Sequence, residues 1–331
     1  MRIRHIPIFV LVVSFAAVLA PSARATCGSA SCFCVTDSSE GAPQAHMFRV
    51  DLSFRTMDQD RKRAGTGSTS EVLTPKIDFE AGVIVPDHHR EESTRSGVTQ
   101  LDVAYGITNR LAVLGSAPLW QDKRHQHFDD VGTPEETFVP DAGSRGFGDV
   151  RVGARYALVV KPQDLLFGTA ALKLPTGAYQ ERDQEGAINE PGIQPGTGSY
   201  DGIVSLGYSR STQSMKVEGF LDTAYRANGT NSLEYRVGNE WQLSGGARFR
   251  VGERGETSVQ VNVSEAGRDR FLGMGVPSTG RTYVYLTPGG RIRSGDGVGF
   301  YAYVQLPVYT KVNEAQLGPR MGLIVGVSKA F

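Results

Sequence analysis

The last stretch of the chain, Gly318 to Phe331, reads GPRMGLIVGVSKAF, with Met321, Leu323, Val325, Val327 and Phe331 two or four residues apart. Alternate residues of an extended chain face the same side, so these five share one face. The reverse face is mostly small: Gly322, Gly326, Ser328 and Ala330. An apolar face with a small or polar reverse suits a strand that separates hydrocarbon from a wet lumen. It suits equally one strand of a soluble sandwich. The rest of the chain has to choose.

The same two-residue rhythm recurs along the chain. It begins at His46, where Phe48, Val50, Leu52 and Phe54 alternate with Arg49, Asp51, Ser53 and Arg55. Hairpins are expected from Gly97–Ile107 with Arg110–Trp120, Phe147–Leu158 with Leu165–Thr176, and Ser199–Ser209 with Met215–Arg226. Two more pair Glu234–Val251 with Thr257–Ser264, and Arg281–Arg293 with Val298–Tyr309. With the first and last strands the count is about 12, and even strand numbers are the rule for bacterial single-chain barrels. The turns inside these hairpins are short. The connections between hairpins, at 58–96, 121–146, 177–198, 227–233, 267–280 and 310–317, are mostly longer and richer in charge or glycine. Short turns on one side and long loops on the other are the asymmetry of an outer-membrane barrel. The expected fold is therefore an all-β, transmembrane, antiparallel up-and-down β-barrel with short periplasmic turns and longer extracellular loops.

Composition agrees. Forty glycines, 12 tyrosines and 15 phenylalanines suit a turn-rich β-protein. A mean hydropathy of -0.25 excludes a bundle of membrane helices. Arg2 and Arg4, the apolar run from Ile6 to Leu19, and Ala23-Arg24-Ala25 read as a secretory signal over residues 1–25. Its removal leaves 32 basic against 35 acidic residues of the original 35 each, so nucleic acid is not an expected partner. Residues 26–45 read as a Cys-containing periplasmic tail and 46–331 as the barrel, in the outer membrane of a Gram-negative bacterium. No GxSxG, HExxH or phosphate-loop pattern is present, so no catalytic site is expected.

Projecting the alternation onto a barrel turns Arg49, Asp51, Asp102, Asp149, Arg151, Arg155, Lys173, Glu218, Asp222, Arg236, Glu240, Arg248, Arg250, Arg291 and Arg293 toward the lumen. Such a lining makes either a salt-bridged, packed interior or a charged path for anionic or polar solutes. Four of the six histidines fall in two places, His88-His89 and His125-x-His127. Folding the hairpin about Thr108-Asn109 sets His88 to Arg90 opposite His127 to Asp129. If the hairpin register persists that far, His88, His89, His125, His127 and Asp129 supply ligands for a transition metal such as zinc, copper or nickel. If it decays, they are solvated loops. Cys27, Cys32 and Cys34 are the three cysteines of the chain, and they leave one thiol over after a disulfide. They point to a disulfide, a metal or a periplasmic partner.

Gly146 to Leu158 (GFGDVRVGARYAL), Leu172 to Tyr179 (LKLPTGAY) and Pro195 to Tyr208 (PGTGSYDGIVSLGY) resemble the outer-membrane transporter family of the phenol meta-cleavage type, the MetA-pathway of phenol degradation. The resemblance implies an outer-membrane barrel that takes up hydrophobic or aromatic compounds, and it carries no substrate residue. The function expected is a transporter or channel for a small solute, surrounded by outer-membrane lipid, with no obligatory cofactor. Phe331 would be the signal read by the barrel-assembly machinery. The alternative is a non-transporting barrel that binds a metal or partner through the amino-terminal cysteines and the histidine loops.

Overall fold

The computed structural model describes residues 43–183 and 186–331. The leader and Cys27, Cys32 and Cys34 lie outside the described residues. Those described form a closed antiparallel barrel of 12 strands. These are β1 (Phe48–Ala64), β2 (Val83–Gly106), β3 (Leu111–Asp129), β4 (Arg151–Val160), β5 (Asp164–Lys173) and β6 (Asp201–Ser211), then β7 (Val217–Ala227), β8 (Glu240–Val251), β9 (Gly255–Ala266), β10 (Arg281–Arg293), β11 (Gly299–Val312) and β12 (Ala315–Ala330). Each strand pairs with its neighbour in sequence, and β12 returns to β1. Closure leaves no barrel edge with unpaired backbone groups, the condition for a sheet to sit in hydrocarbon.

The closing seam is in the expected place. Leu52 lies opposite Val327 and Phe54 opposite Val325. Phe48 N donates to Phe331 O at 3.1 Å, and Phe331 N donates to Phe48 O at 2.7 Å. Lys329, which interrupts the outward face, folds its ammonium over the Phe331 ring, 5.1 Å from the centroid. Outward positions form an apolar band that includes Leu52, Val113, Val152, Val204, Leu221, Val261 and Val325, all exposed. Exposed Phe48, Tyr105, Tyr208, Phe249 and Phe300 border it near the short turns, and Trp120, Tyr200, Tyr225, Trp241 and Tyr309 toward the long loops. These are the aromatic girdles of a barrel at two interfaces.

Several strands outrun their expected lengths. β2 has 24 residues and β3 has 19, against about 9–11 for a membrane crossing. The segments 58–96 and 121–146, expected as loops, are therefore largely strand: the ends of β1 and β3, Leu73–Asp78, the first half of β2, and short pieces at Thr137–Val139 and Arg145–Gly146. The expected loop at 310–317 shrinks to a turn at Asn313 and Glu314. Beyond the lipid both faces of a sheet can be polar, so apolar alternation stops while backbone pairing continues. Asp58 and Arg95 show it: they pair across β1 and β2 with Nε to Oδ1 at 2.6 Å. In the opposite sense, β8 starts at Glu240, not Glu234. Tyr235 and Val237 pack instead with Ile77, Phe271 and Val276 in a small core under the loops. The break falls at Gly238, where a Cβ would overlap the backbone of Gly267.

Inside the barrel one wall is not polar. Tyr283, Tyr285, Tyr303, Met57, Val98, Val312 and Ile324 form a buried cluster, which thickens the wall at the seam side and narrows the lumen. Glycine opposite an aromatic makes room for such groups: a Cβ on Gly207 would overlap the Phe167 ring.

Candidate functional site: a charged lumen and a histidine cluster

The described residues of the β5–β6 connection, which runs over residues 174–200, meet the inner wall through Gly192 to Pro195. Gln121 Nε2 donates to Pro195 O at 2.6 Å. Lys123 Nζ donates to Gly192 O at 3.0 Å and Gln194 O at 2.7 Å. Ser144 donates its hydroxyl to Ile193 O. Burial pushes the Lys123 ammonium down to about 7, against the opposing pull of the Asp149 carboxylate. The foot of the loop is a buried polar node in which Lys173 Nζ stands 2.7 Å from Asp149 Oδ2 and 3.0 Å from Asp201 Oδ2. Asp149 also accepts from Gly177 N at 3.0 Å and Thr197 N at 2.9 Å. The Gly-Asp, Pro-Thr-Gly and Gly-Thr-Gly segments that carry the family resemblance thus meet at one point.

Two cavities of about 300 Å³ each occupy the interior. The upper one lies under the inward loop; Asp149, Lys173 and Glu240 line it. The lower one is lined by Arg49, Arg55, Arg151, Arg155 and Arg291 against Asp51, Asp102 and Asp222, so basic groups prevail. Arg55, Gln100, Arg151 and Gln242 line both. This shared layer is tied internally: Gln100 Nε2 donates to Asp102 Oδ1 at 2.7 Å, and Arg55 Nη2 lies 3.8 Å from Asp102 Oδ2. Aromatic faces sit among the arginines, with Arg155 4.7 Å from the Phe167 ring centre and Arg291 5.2 Å from that of Tyr301. Tyr301 donates its hydroxyl to Asp51 at 2.6 Å.

Most of the predicted lumen set is inward. Glu218 and Arg248 pair with each other nearer the short turns, and Glu240 pairs with Arg226 and Arg281. Three positions differ. Arg236 lies outside the barrel wall, in a two-residue strand paired with Arg270–Phe271, because the barrel strand begins four residues later. Arg250 and Arg293 have inward parity but are exposed at the short-turn rim and line neither cavity. Gln100 and Gln242, which line both cavities, are uncharged and were not among the expected lumen residues.

The β2–β3 register persists to the histidines. Glu91 faces His127 and Thr94 faces His125, and the His88–His89, His89–His127 and His125–His127 rings have centres 4.6, 4.7 and 4.8 Å apart. Asp129 Oδ1 lies 2.8 Å from His89 Nε2, 3.0 Å from His127 Nε2 and 3.9 Å from His88 Nδ1. Glu190, from the inward loop, reaches His89 Nδ1 at 2.6 Å, and Glu91 Oε2 lies 3.1 Å from His125 Nε2. Neither of the last two contacts has the direction of a hydrogen bond, and His89 Nδ1, His125 Nε2 and Glu190 Oε1 are buried without such a partner. Burial opposes charge on His89 and Glu190, but their attraction exceeds it: His89 is raised to about 10 through Glu190 and then Asp129, and Glu190 is lowered to about 2. Burial works against His125 too, and the Glu91 carboxylate still raises it. His88 is lowered, first by burial and then by the charge on His89. Nothing in the sequence pointed to Glu190, which arrives from a different loop.

Fold and lumen together define a closed β-barrel with an apolar belt, a charged interior and an inward-packed loop. No protein-family profile matches the chain, and no curated protein matches it. Among solved structures it is similar to an outer membrane channel from Pseudomonas putida F1, with a TM-score of 0.61 at 13% identity over 90% of this chain and 100% of that one. Lower scores relate it to the CymD monoaromatic hydrocarbon channel (0.42, 12% identity, 87% of this chain and 89% of that one) and to the β domain of a Bordetella autotransporter (0.44, 11% identity, 86% and 100%).

Proposed function

We propose that the chain is an outer-membrane channel of a Gram-negative bacterium that passes a small aromatic anion. The short turns face the periplasm and the extended strands face outward. The observation that carries this reading is the pair of stacked cavities joined through Arg55, Gln100, Arg151 and Gln242. Guanidinium groups beside aromatic faces suit a carboxylate or phenolate on a ring: the charge meets arginine and the ring meets Phe167 or Tyr301. The two cavities share the long side chains of Arg55, Gln100, Arg151 and Gln242, which suits passage by rotamer changes. The solved channel from Pseudomonas putida supports the same class of function, and the resemblance in the Asp149, Lys173 and Thr197 segments supports membership of the phenol meta-cleavage type. Phe331, paired at the seam, is the residue the barrel-assembly machinery would engage, and the cysteine tail would lie in the periplasm, within reach of a partner there.

Vesicles carrying the purified protein test the reading. Benzoate should enter faster than benzylamine, and the Arg151→Gln variant should slow benzoate more than a neutral aromatic. Uptake of benzoate no faster than into protein-free vesicles contradicts it.

A further inference from the structure

We propose that His89, Glu91, His125 and Glu190 form a binding site for a divalent first-row transition metal, zinc above all, which fastens the 174–200 loop to the barrel wall. Two imidazoles and two carboxylates are a borderline donor set of the kind zinc takes in four-coordinate sites. The donor atoms of His89, Glu91 and Glu190 lie within 4.8 Å of one another, and His125 Nε2 is 3.1 Å from the Glu91 carboxylate. Bonds of about 2.0–2.1 Å place tetrahedral ligands about 3.4 Å apart, so side-chain rotation has to draw His89, Glu91 and Glu190 together and bring His125 in beside Glu91.

A second observation is independent of that spacing. His89 Nδ1, His125 Nε2 and Glu190 Oε1 are buried polar atoms that meet charged partners at 2.6 and 3.1 Å without the direction of a hydrogen bond, and a buried polar atom without a directed bond is costly. All three belong to this donor set. Other atoms of His89, His125 and Glu91 are held in place. Asp129 Oδ1 is 2.8 Å from His89 Nε2, the Thr94 hydroxyl is 2.8 Å from His125 Nδ1, and the Thr74 hydroxyl donates to Glu91 Oε1 at 2.6 Å. Outer partners of this kind fix the tautomer and orientation of metal-binding imidazoles. Glu91, His125 and Glu190 also line the upper cavity, which gives an ion a route in. Three of the ligands come from the paired strands β2 and β3, and the fourth comes from the loop. The ion therefore acts as a strap.

The test uses the full mature chain, without a histidine tag, stripped with chelator and titrated with zinc and with cobalt(II). One equivalent should bind, and cobalt should give the intense visible bands of four-coordinate geometry. Combining His125→Gln with Glu91→Gln should weaken zinc by about 100-fold or more, beyond the roughly 10–100-fold that loss of an outer partner produces. Thr94→Val should fall within that lower range. Zinc should also slow tryptic cleavage at Arg182, in the same loop, and should lose that effect in Glu190→Gln. Each variant must keep heat-modifiable gel migration, which reports the folded barrel. The proposal fails if the folded chain binds no zinc at micromolar concentration. It also fails if binding survives the His125/Glu91 replacement and disappears instead when Cys27, Cys32 and Cys34 are changed to serine.

Discussion

Single residues in this barrel are governed by which of two solvents they meet. Val261 faces lipid near the middle of β9, and its neighbour Gln260 is buried in the lumen. Val261→Arg should destabilise the barrel by about 2–4 kcal/mol, the cost of a basic side chain at mid-bilayer. Denaturant unfolding in lipid vesicles measures it, and a loss below about 1 kcal/mol would place Val261 away from hydrocarbon. Lys173 is the inverse case, a charge that belongs inside. Lys173→Met leaves the Asp149 and Asp201 carboxylates buried without their counterion, and removing one partner of a buried pair costs about 3–5 kcal/mol. The same unfolding measurement should show that loss, together with faster proteolysis of the 174–200 loop. Charged residues on regular strands were legible because parity alone aims Asp51, Asp102 and Arg151 inward. The inward tyrosines were not: Tyr283 and Tyr285 are as apolar as a lipid-facing pair, and polarity gives no sign that they fill the lumen.

At the scale of elements, alternation located the strands only where one face meets lipid. β10 is the clean case, with its expected bounds reproduced at Arg281 and Arg293. The upper halves of β2 and β3 are the opposite, since Glu91, Ser93, Arg95 and their neighbours stand above the belt, where neither face needs to be apolar. Hairpin counting from Thr108-Asn109 still placed the histidines correctly to within about two residues, because backbone pairing continues where side-chain polarity no longer reports it and the register shifts at Thr99/Gln100 and Glu91/Ser93 cancel. The seam offers a direct check of register. With Cys27, Cys32 and Cys34 replaced by serine, Leu52→Cys with Val327→Cys should oxidise to a crosslinked band, because directly opposed strand residues lie within disulfide reach. Leu52→Cys with Ser328→Cys, on opposite faces, should not. Crosslinking of the second pair alone would mean that β12 is displaced by one residue.

For the whole molecule, closure, strand number and the two-sided loop asymmetry were legible, because each follows from period and turn spacing. The interior arrangement was not, because it depends on residues distant in sequence: Glu190 on His89, Gln194 over Lys123, Asp201 beside Lys173. The lower cavity holds five arginines against three aspartates, and a low-dielectric bore of one prevailing sign selects ions of the other. Reversal potential across a potassium chloride gradient in planar bilayers measures that selection directly. Small, anion-selective conductance is expected, and its selectivity should decline in the Arg55→Gln, Arg151→Gln double variant. A folded barrel that conducts nothing, or that prefers potassium, would contradict it.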